Sequence, residues 1–311
     1  MKPFIFLLSI AIAAPASATV LAYEGFGSAG YNVGAGATSA DYPTDHLAGQ
    51  GSGTGTGFSS AWVKDPTYNS RTGFYWLADG GTASAGSYTR ADGGQGSYST
   101  LATTAGQATY QTDAGAAGRV SYQRNFTTGT SAPATLYVST LITFDGSGGV
   151  SLGFQTSNGS DNRPFQFGLN QAGNFFASGY ATDTDPVINS AATYSAGTYF
   201  VVAMFQNDGT NNDSISLWIN PTLTGLGTAD VVLDAASAGA ATNFYVSGNP
   251  GYAIQGVVLD FKSSGASAGS TSVDEIRIGT TLADIGVVPE PSAGLLLIAA
   301  TGLLGIRRRR A

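Results

Sequence analysis

Apolar and polar residues alternate along much of the chain between residues 19 and 285. In Leu136–Phe144, the side chains of Leu136, Val138, Ile142 and Phe144 fall on one face. A repeat of two residues is typical of a β-strand with one buried face. Thr198–Gln206 is apolar on both faces, as expected of a strand in the centre of a sandwich. Similar runs occupy residues 150–154, 165–169, 174–180, 215–219, 257–261 and 273–279.

Turn-forming residues separate these runs, and no segment predicts a convincing helix. Asp145–Gly149 lies between two of the runs and predicts a β-hairpin turn. The segment Gly34–Gly57 predicts a long loop, and Gly80–Gly118 predicts short edge strands. Short strands at this spacing, without a linker, predict one all-β domain at 19–285, a two-sheet jelly-roll sandwich of about a dozen strands.

The N-terminal 18 residues have the pattern of a secretory signal peptide. A lysine near the start precedes the apolar run Phe4–Ala14, and Ala16-Ser17-Ala18 forms a small-residue cleavage site. A buried helix would explain the apolar run alone, but not the cleavage site or the switch to strand-like sequence. We therefore expect signal cleavage after Ala18, a mature chain that begins at Thr19, and export through a membrane.

The C-terminal residues 286–311 differ in character from the rest of the chain. A proline-rich segment is followed by the apolar stretch 292–306 and by four consecutive arginines, Arg307–Arg310. As a helix this stretch is about 22 Å long, against about 30 Å for a bilayer core. It predicts a marginal single transmembrane helix whose arginines stay on the cytoplasmic side. The domain would then lie across the membrane, as the signal peptide also requires.

In this order and spacing, the C-terminal features resemble the PEP-CTERM sorting signal of Gram-negative bacteria. The resemblance implies processing by an exosortase, a peptidase of the inner membrane, and transfer of the domain to the cell surface or extracellular matrix. Families with this signal commonly accompany exopolysaccharide production. The residues of the sorting signal are Pro289, Glu290, Pro291, Arg307, Arg308, Arg309 and Arg310.

Composition and charge exclude several classes of function. The 311 residues include no Cys and one His, so the sequence has neither a disulfide framework nor a thiolate or paired-histidine metal site. Without Lys2 and the four terminal arginines, eight basic residues remain against 20 acidic ones, a net charge of −12. Because no basic patch can form, we expect no nucleic-acid partner.

Four short motifs of the strand region resemble the concanavalin A-like or laminin G-like domain that often precedes this sorting signal. They are Ala22–Phe26, Gly55–Trp62, Ser214–Pro221 and Val273–Thr281. The resemblance implies that the first and last strands pair, which would place Glu24 beside Asp274–Arg277. It names no ligand, because the ligands of such domains vary.

The strand region contains no recognisable catalytic motif, and we expect no enzyme. A jelly-roll glycosidase needs two carboxylates that flank the sugar, typically in a motif such as Glu-x-Asp-x-Glu. The region has two glutamates, Glu24 and Glu275, and neither sits in such a motif. Glu275 and Arg277 share one strand face, where an ion pair is the simpler interpretation. We likewise expect Glu24 to pair with Arg277 across the first and last strands.

Calcium is the remaining candidate cofactor. Asp208 and Asp213 bound one turn rich in oxygen ligands, and Asp183 and Asp185 lie in another. Hairpin turns favour the same residue types, and neither segment matches an EF-hand or a nonapeptide calcium repeat. No cofactor is therefore the first hypothesis, and calcium is the alternative.

Together these observations predict an exported protein that is sorted to the cell surface by cleavage of its C-terminal tail. The predicted molecular role is a structural, adhesive or glycan-binding matrix module with extracellular polysaccharide as a partner. The alternative is a polysaccharide-active enzyme, a glycosidase or lyase, on the same jelly-roll fold. Two clustered carboxylates in a groove would favour the enzyme, and their absence would favour the module.

Overall fold

The computed structural model describes residues 20–26, 55–64, 98–99, 101, 103, 107–112, 118–131, 133–155, 165–179, 187–206, 213–234, 237, 253–263 and 269–287. These residues form 14 strands and one 3-10 turn, Ala283–Ile285. In chain order the strands are β1 Val20–Glu24, β2 Val63–Lys64, β3 Ala108–Thr112, β4 Gly118–Ser131, β5 Thr135–Phe144, β6 Gly148–Gln155, β7 Phe165–Leu169, β8 Phe175–Gly179, β9 Val187–Asn189, β10 Gly197–Gln206, β11 Ser214–Ile219, β12 Val231–Leu233, β13 Ala253–Ser263 and β14 Gly269–Gly279. The all-β class predicted from the alternation is confirmed.

The strands form two antiparallel sheets of seven. The first sheet has the order β1-β14-β5-β10-β11-β12, and β3 pairs with the other end of β14. The second has the order β2-β4-β13-β6-β7-β8-β9. This arrangement fits the predicted jelly-roll sandwich. As expected for a run that is apolar on both faces, β10 lies inside the first sheet, between β5 and β11.

The first and last strands of the described chain pair, as predicted. In β1 and β14, Tyr23 lies opposite Arg277, and Glu24 lies opposite Ile276. The segment 55–60 then joins the two sheets at this edge. The backbone of Thr56 exchanges hydrogen bonds with Tyr23 in the first sheet, and Ser59 donates its N–H to Asn125 of β4 in the second.

The predicted hairpin at Asp145–Gly149 is wrong. The two strands that flank this turn, β5 and β6, lie in different sheets, so residues 145–147 cross from one layer to the other. The Asp145 carboxylate accepts hydrogen bonds from the backbone and hydroxyl of Ser147 and tightens the crossing. A hairpin and a tight crossing need the same turn residues, so the sequence pattern does not distinguish them.

Apolar side chains form two buried clusters. The larger fills the space between the sheets, where the Phe205 ring packs against Phe154 and Phe165 with centroid separations of 5.4 and 4.7 Å. The second cluster lies on the outer face of the first sheet. Its buried members are Leu141, Phe200, Val202, Trp218, Ile285 and Val287. The outer face of this sheet is therefore covered in part by the end of the domain.

Candidate functional site

A buried ion pair joins the two sheets at the edge where the domain begins. Glu24 is the last residue of β1 in the first sheet, and Arg124 lies in β4 of the second. Nη1 of Arg124 donates a hydrogen bond to Oε2 of Glu24. The side chains are 1% and 0% exposed. Glu24 Oε1 also accepts the N–H of Phe26 at 2.7 Å, and Arg124 Nε donates to the carbonyl of Ser60 at 2.9 Å. Both charged groups therefore have partners in place of water.

Aromatic rings enclose the guanidinium of this pair. Its Cζ lies 4.5 Å from the centroid of the Phe58 ring and 5.9 Å from that of Trp62. Burial lowers the pKa of Arg124 to about 10, because removal from water disfavours the charged form. Arg124 thus remains a cation at neutral pH and holds Glu24 as its anion.

The predicted pair between Glu24 and Arg277 is wrong. Alternation along β1 turns Glu24 into the sandwich with Ala22, whereas Arg277 lies on the outer side opposite Tyr23. Arg277 instead donates to Glu275 Oε2 at 2.8 Å, as the shared strand face predicts. The Tyr23 hydroxyl donates to the same oxygen at 2.9 Å. Both candidate glutamates are therefore ion-pair partners in two separate clusters.

Sequence reasoning overlooked Arg124. The alternation along its strand puts Arg124 on the same face as Tyr122 and Phe126. This places a cation among interior positions. A buried arginine requires a buried carboxylate, and Glu24 is one of the two glutamates that precede the C-terminal tail. That pattern could have singled out Arg124 before the structure, but not which carboxylate pairs with it.

A polar face covers the outer side of the second sheet. Three rows of neighbours follow from the strand registers: Ser121-Asp260-Ser151-Gly168-Phe176, Gln123-Val258-Gly153-Gln166-Ser178 and Asn125-Gly256-Gln155. These 13 residues, with Lys262, are called the polar face below. Gln123, Asn125, Gln166, Phe176 and Lys262 are its partly or fully exposed members, whereas Asp260 is 1% exposed.

Amide groups dominate the chemistry of the polar face. Gln155 Nε2 donates to Asn125 Oδ1 at 2.6 Å across Gly256. A Cβ at Gly256 would overlap the Arg124 carbonyl and lie 2.8 Å from Gln155 Nε2, so only glycine permits this bridge. The buried Gln155 Oε1 accepts no hydrogen bond from any residue that the structure describes. Gln155 Oε1 is therefore an unsatisfied buried acceptor within the described residues.

Charge is sparse on this face. The Lys262 ammonium lies 4.0 Å from an oxygen of Asp260, and Ser121 and Ser151 flank Asp260 on the neighbouring strands. Gln123 and Gln166 stand three strand spacings apart in one row, about 14 Å. Val258 and Gly153 lie between these two amides, each of which carries hydrogen-bond donors and an acceptor.

The domain ends in a short segment, Leu282–Val287, called the exit segment below. Asp284 Oδ2 accepts the N–H groups of Thr280 and Thr281 at 2.9 and 2.8 Å. The Ser139 hydroxyl donates to the carbonyl of Ile285 at 2.8 Å. The N–H of Val287 donates to the carbonyl of Leu282 at 3.0 Å. The described fold is therefore packed as far as Val287.

Gly286 allows the exit segment to turn. It ends the 3-10 turn with a φ of 86°, a conformation that favours glycine. A Cβ there would also lie 2.6 Å from both an Arg277 nitrogen and Leu101. This turn directs Val287 into the second cluster.

Most of the predicted site residues lie outside the described part of the chain. These are the signal residues Ala16 and Ala18, the tail residues Pro289–Pro291 and Arg307–Arg310, and Asp183, Asp185 and Asp208. Asp213 is fully buried just before β11. The described residues bring together no group of three or more acidic, His or Cys side chains for a metal ion. They also contain no helix able to span a membrane, and residues 292–306 fall outside them.

Residues 287–311 match the PEP-CTERM protein-sorting motif. This confirms the resemblance inferred from the tail, and the motif implies export with transient membrane anchoring. The motif begins at Val287, which is the last residue of the exit segment. No curated protein matches the chain.

The chain is similar to several solved structures at low sequence identity and low TM-score. An endo-β-1,4-glucuronan lyase from Trichoderma reesei is 9% identical with a TM-score of 0.43, over 74% of this chain and 98% of the lyase. The calreticulin globular domain of T. cruzi is 13% identical with a TM-score of 0.46, over 80% and 95%. A carbohydrate-binding module from Bacillus subtilis is 8% identical with a TM-score of 0.38, over 70% and 94%.

Proposed function

We propose that this protein is an exported, non-catalytic polysaccharide-binding module that an exosortase-type peptidase delivers to the cell surface or matrix. Delivery is supported by the PEP-CTERM motif, which follows directly on the packed end of the domain. Processing near Pro289–Pro291 releases the jelly-roll domain with its strands complete, because β14 ends at Gly279 and the exit segment at Val287. The inner membrane is the partner before cleavage.

The chemistry of the polar face supports a polysaccharide as the ligand. Neutral sugars present many hydroxyl groups, each of which can donate and accept a hydrogen bond. Amides such as Gln123, Asn125 and Gln166 offer matching donors and acceptors without the desolvation cost of a charge. The partly exposed ring of Phe176 offers an apolar surface in the same face. The net charge of −12 disfavours anionic polymers.

The positions of the two described glutamates support a non-catalytic role. Glu24 and Glu275 each hold an arginine in separate clusters, and Glu24 is enclosed between the sheets. A glycosidase requires two carboxyl groups that face one sugar bond. Asp260 is the acidic residue of the polar face. Its presence there is the observation that favours the enzymatic alternative. An Asp260→Asn variant therefore distinguishes the two roles.

The experiment is a glycan array probed with the processed protein, with and without calcium. We expect binding to neutral polysaccharides, and Gln166→Ala to weaken it about fivefold through the loss of a neutral hydrogen bond. The matched control is Gln206→Ala, since Gln206 is an exposed glutamine at the end of β10 in the other sheet. Equal binding by both variants, or no binding to any glycan, contradicts the module.

A reducing-end assay on the bound polysaccharides tests the enzyme. The protein would be an enzyme, and not a binding module, if it releases reducing ends and Asp260→Asn abolishes this release while the fold is retained. Loss of binding only in EDTA would assign calcium to the site.

A further inference from the structure

The packed end of the domain coincides with the start of the sorting motif. Val287 is 0% exposed, and its side chain packs in the second cluster beside Leu141 and Phe200. Ile285, two residues earlier, is also 0% exposed and is held by the hydroxyl of Ser139. A single residue, Val288, separates Val287 from Pro289. The chain thus passes from the domain core to Pro289 with almost no spacer.

This arrangement leaves a peptidase little free chain upstream of Pro289. Peptide substrates are commonly held as an extended strand through their backbone N–H and carbonyl groups. Pro289 and Pro291 have no N–H, so between Val287 and Pro291 only Val288 and Glu290 can donate. Each residue spans at most about 3.5 Å, so along the chain Pro289 can be no more than about 7 Å from Val287 and Pro291 no more than about 14 Å. The next backbone groups upstream, those of Val287 and Gly286, belong to the exit segment.

We propose that the exit segment is a gate for processing, and that release of Val287 from the second cluster precedes cleavage. This inference rests on the proposed sorting by an exosortase-type peptidase. Release breaks the hydrogen bond from Val287 to the Leu282 carbonyl and exposes the Val287 side chain. The rest of the domain stays folded, because the β1–β14 pairing lies upstream of the exit segment. The released state is a local opening of the kind that commonly precedes proteolysis.

The gate predicts that weaker packing of Val287 accelerates processing. If opening is in rapid equilibrium, the cleavage rate follows the open population. Val287→Ala should raise that population on the order of tenfold, as expected when methyl groups are lost from a buried site. Insertion of Gly-Ser-Gly-Ser between Val287 and Val288 should accelerate cleavage to a similar extent while it leaves the exit segment intact. The matched control is Val201→Ala, since Val201 is also 0% exposed but lies in the larger cluster.

The experiment follows the full chain by pulse-chase in a Gram-negative host that carries an exosortase, and in the same host without it. Faster conversion of the Val287→Ala and linker variants, with Val201→Ala at the native rate, supports the gate. Native rates for the first two variants overturn it. Equal acceleration by Val201→Ala also overturns it, because processing would then follow unfolding of the whole domain. If no variant is processed in either host, the proposed sorting fails and the gate fails with it.

Discussion

The inter-sheet pair of Glu24 and Arg124 makes the sharpest prediction about stability. In a Glu24→Gln variant the new amide still accepts the N–H of Phe26 with its oxygen. Its charge is gone, however, and Arg124 remains a cation in a site that is 0% exposed. The loss of one partner from a buried pair costs about 3–5 kcal/mol. An exposed pair would cost about 1 kcal/mol or less.

The assay is urea unfolding of the processed protein, followed by tryptophan fluorescence. A second variant, Glu24→Leu with Arg124→Met, removes both charges and should recover most of the stability that Glu24→Gln loses. Glu275→Gln is the comparison, because Arg277 is 13% exposed and reaches water when its partner is lost. We expect that change to cost about 1–2 kcal/mol.

Two results would refute this reasoning. One is a cost below about 1 kcal/mol for Glu24→Gln. The other is a double variant that is as unstable as the sum of its single changes, since the two charges would then act independently.

Three further predictions concern the fold. Gly256→Ala should destabilise the domain by about 1–3 kcal/mol through overlap with the Arg124 carbonyl; an unchanged urea midpoint would contradict this. Burial raises the pKa of Tyr98 above its ordinary value of about 10, so the unfolded state ionises first and stability falls from about pH 10 upward. Tyr98→Phe should be less stable than the native protein at pH 8, because it lacks the hydrogen bond to the carbonyl of Pro221. Its stability should fall less steeply above pH 10, and an equally steep fall would refute this. Circular dichroism of the processed protein should show one cooperative β transition; two separate transitions would exclude a single unit.

The strands were predictable because their signal is local. In Leu136–Phe144 and Val257–Phe261, the residues that the alternation turns inward belong to the larger cluster. Pairing of the first and last strands came from the family resemblance and was also confirmed. These features need only the residue types and their spacing.

The errors concern which distant residues meet. The turn at Asp145–Gly149 has the chemistry of a hairpin, but its flanking strands find their partners elsewhere in the chain. Glu24 is 100 residues from Arg124 in sequence, and no local pattern joins the two. The polar face likewise exists only once the registers of β4, β13, β6, β7 and β8 are known. Tertiary contacts of this kind decide the site.

The most direct test of the central claim is the intact mass of the protein released at the surface of cells that express the full chain. Sorting by cleavage at the PEP-CTERM motif predicts the mass of a chain that begins at Thr19 and lacks the apolar stretch 292–306 and Arg307–Arg310. Recovery of Arg307–Arg310 in the released protein would contradict the account.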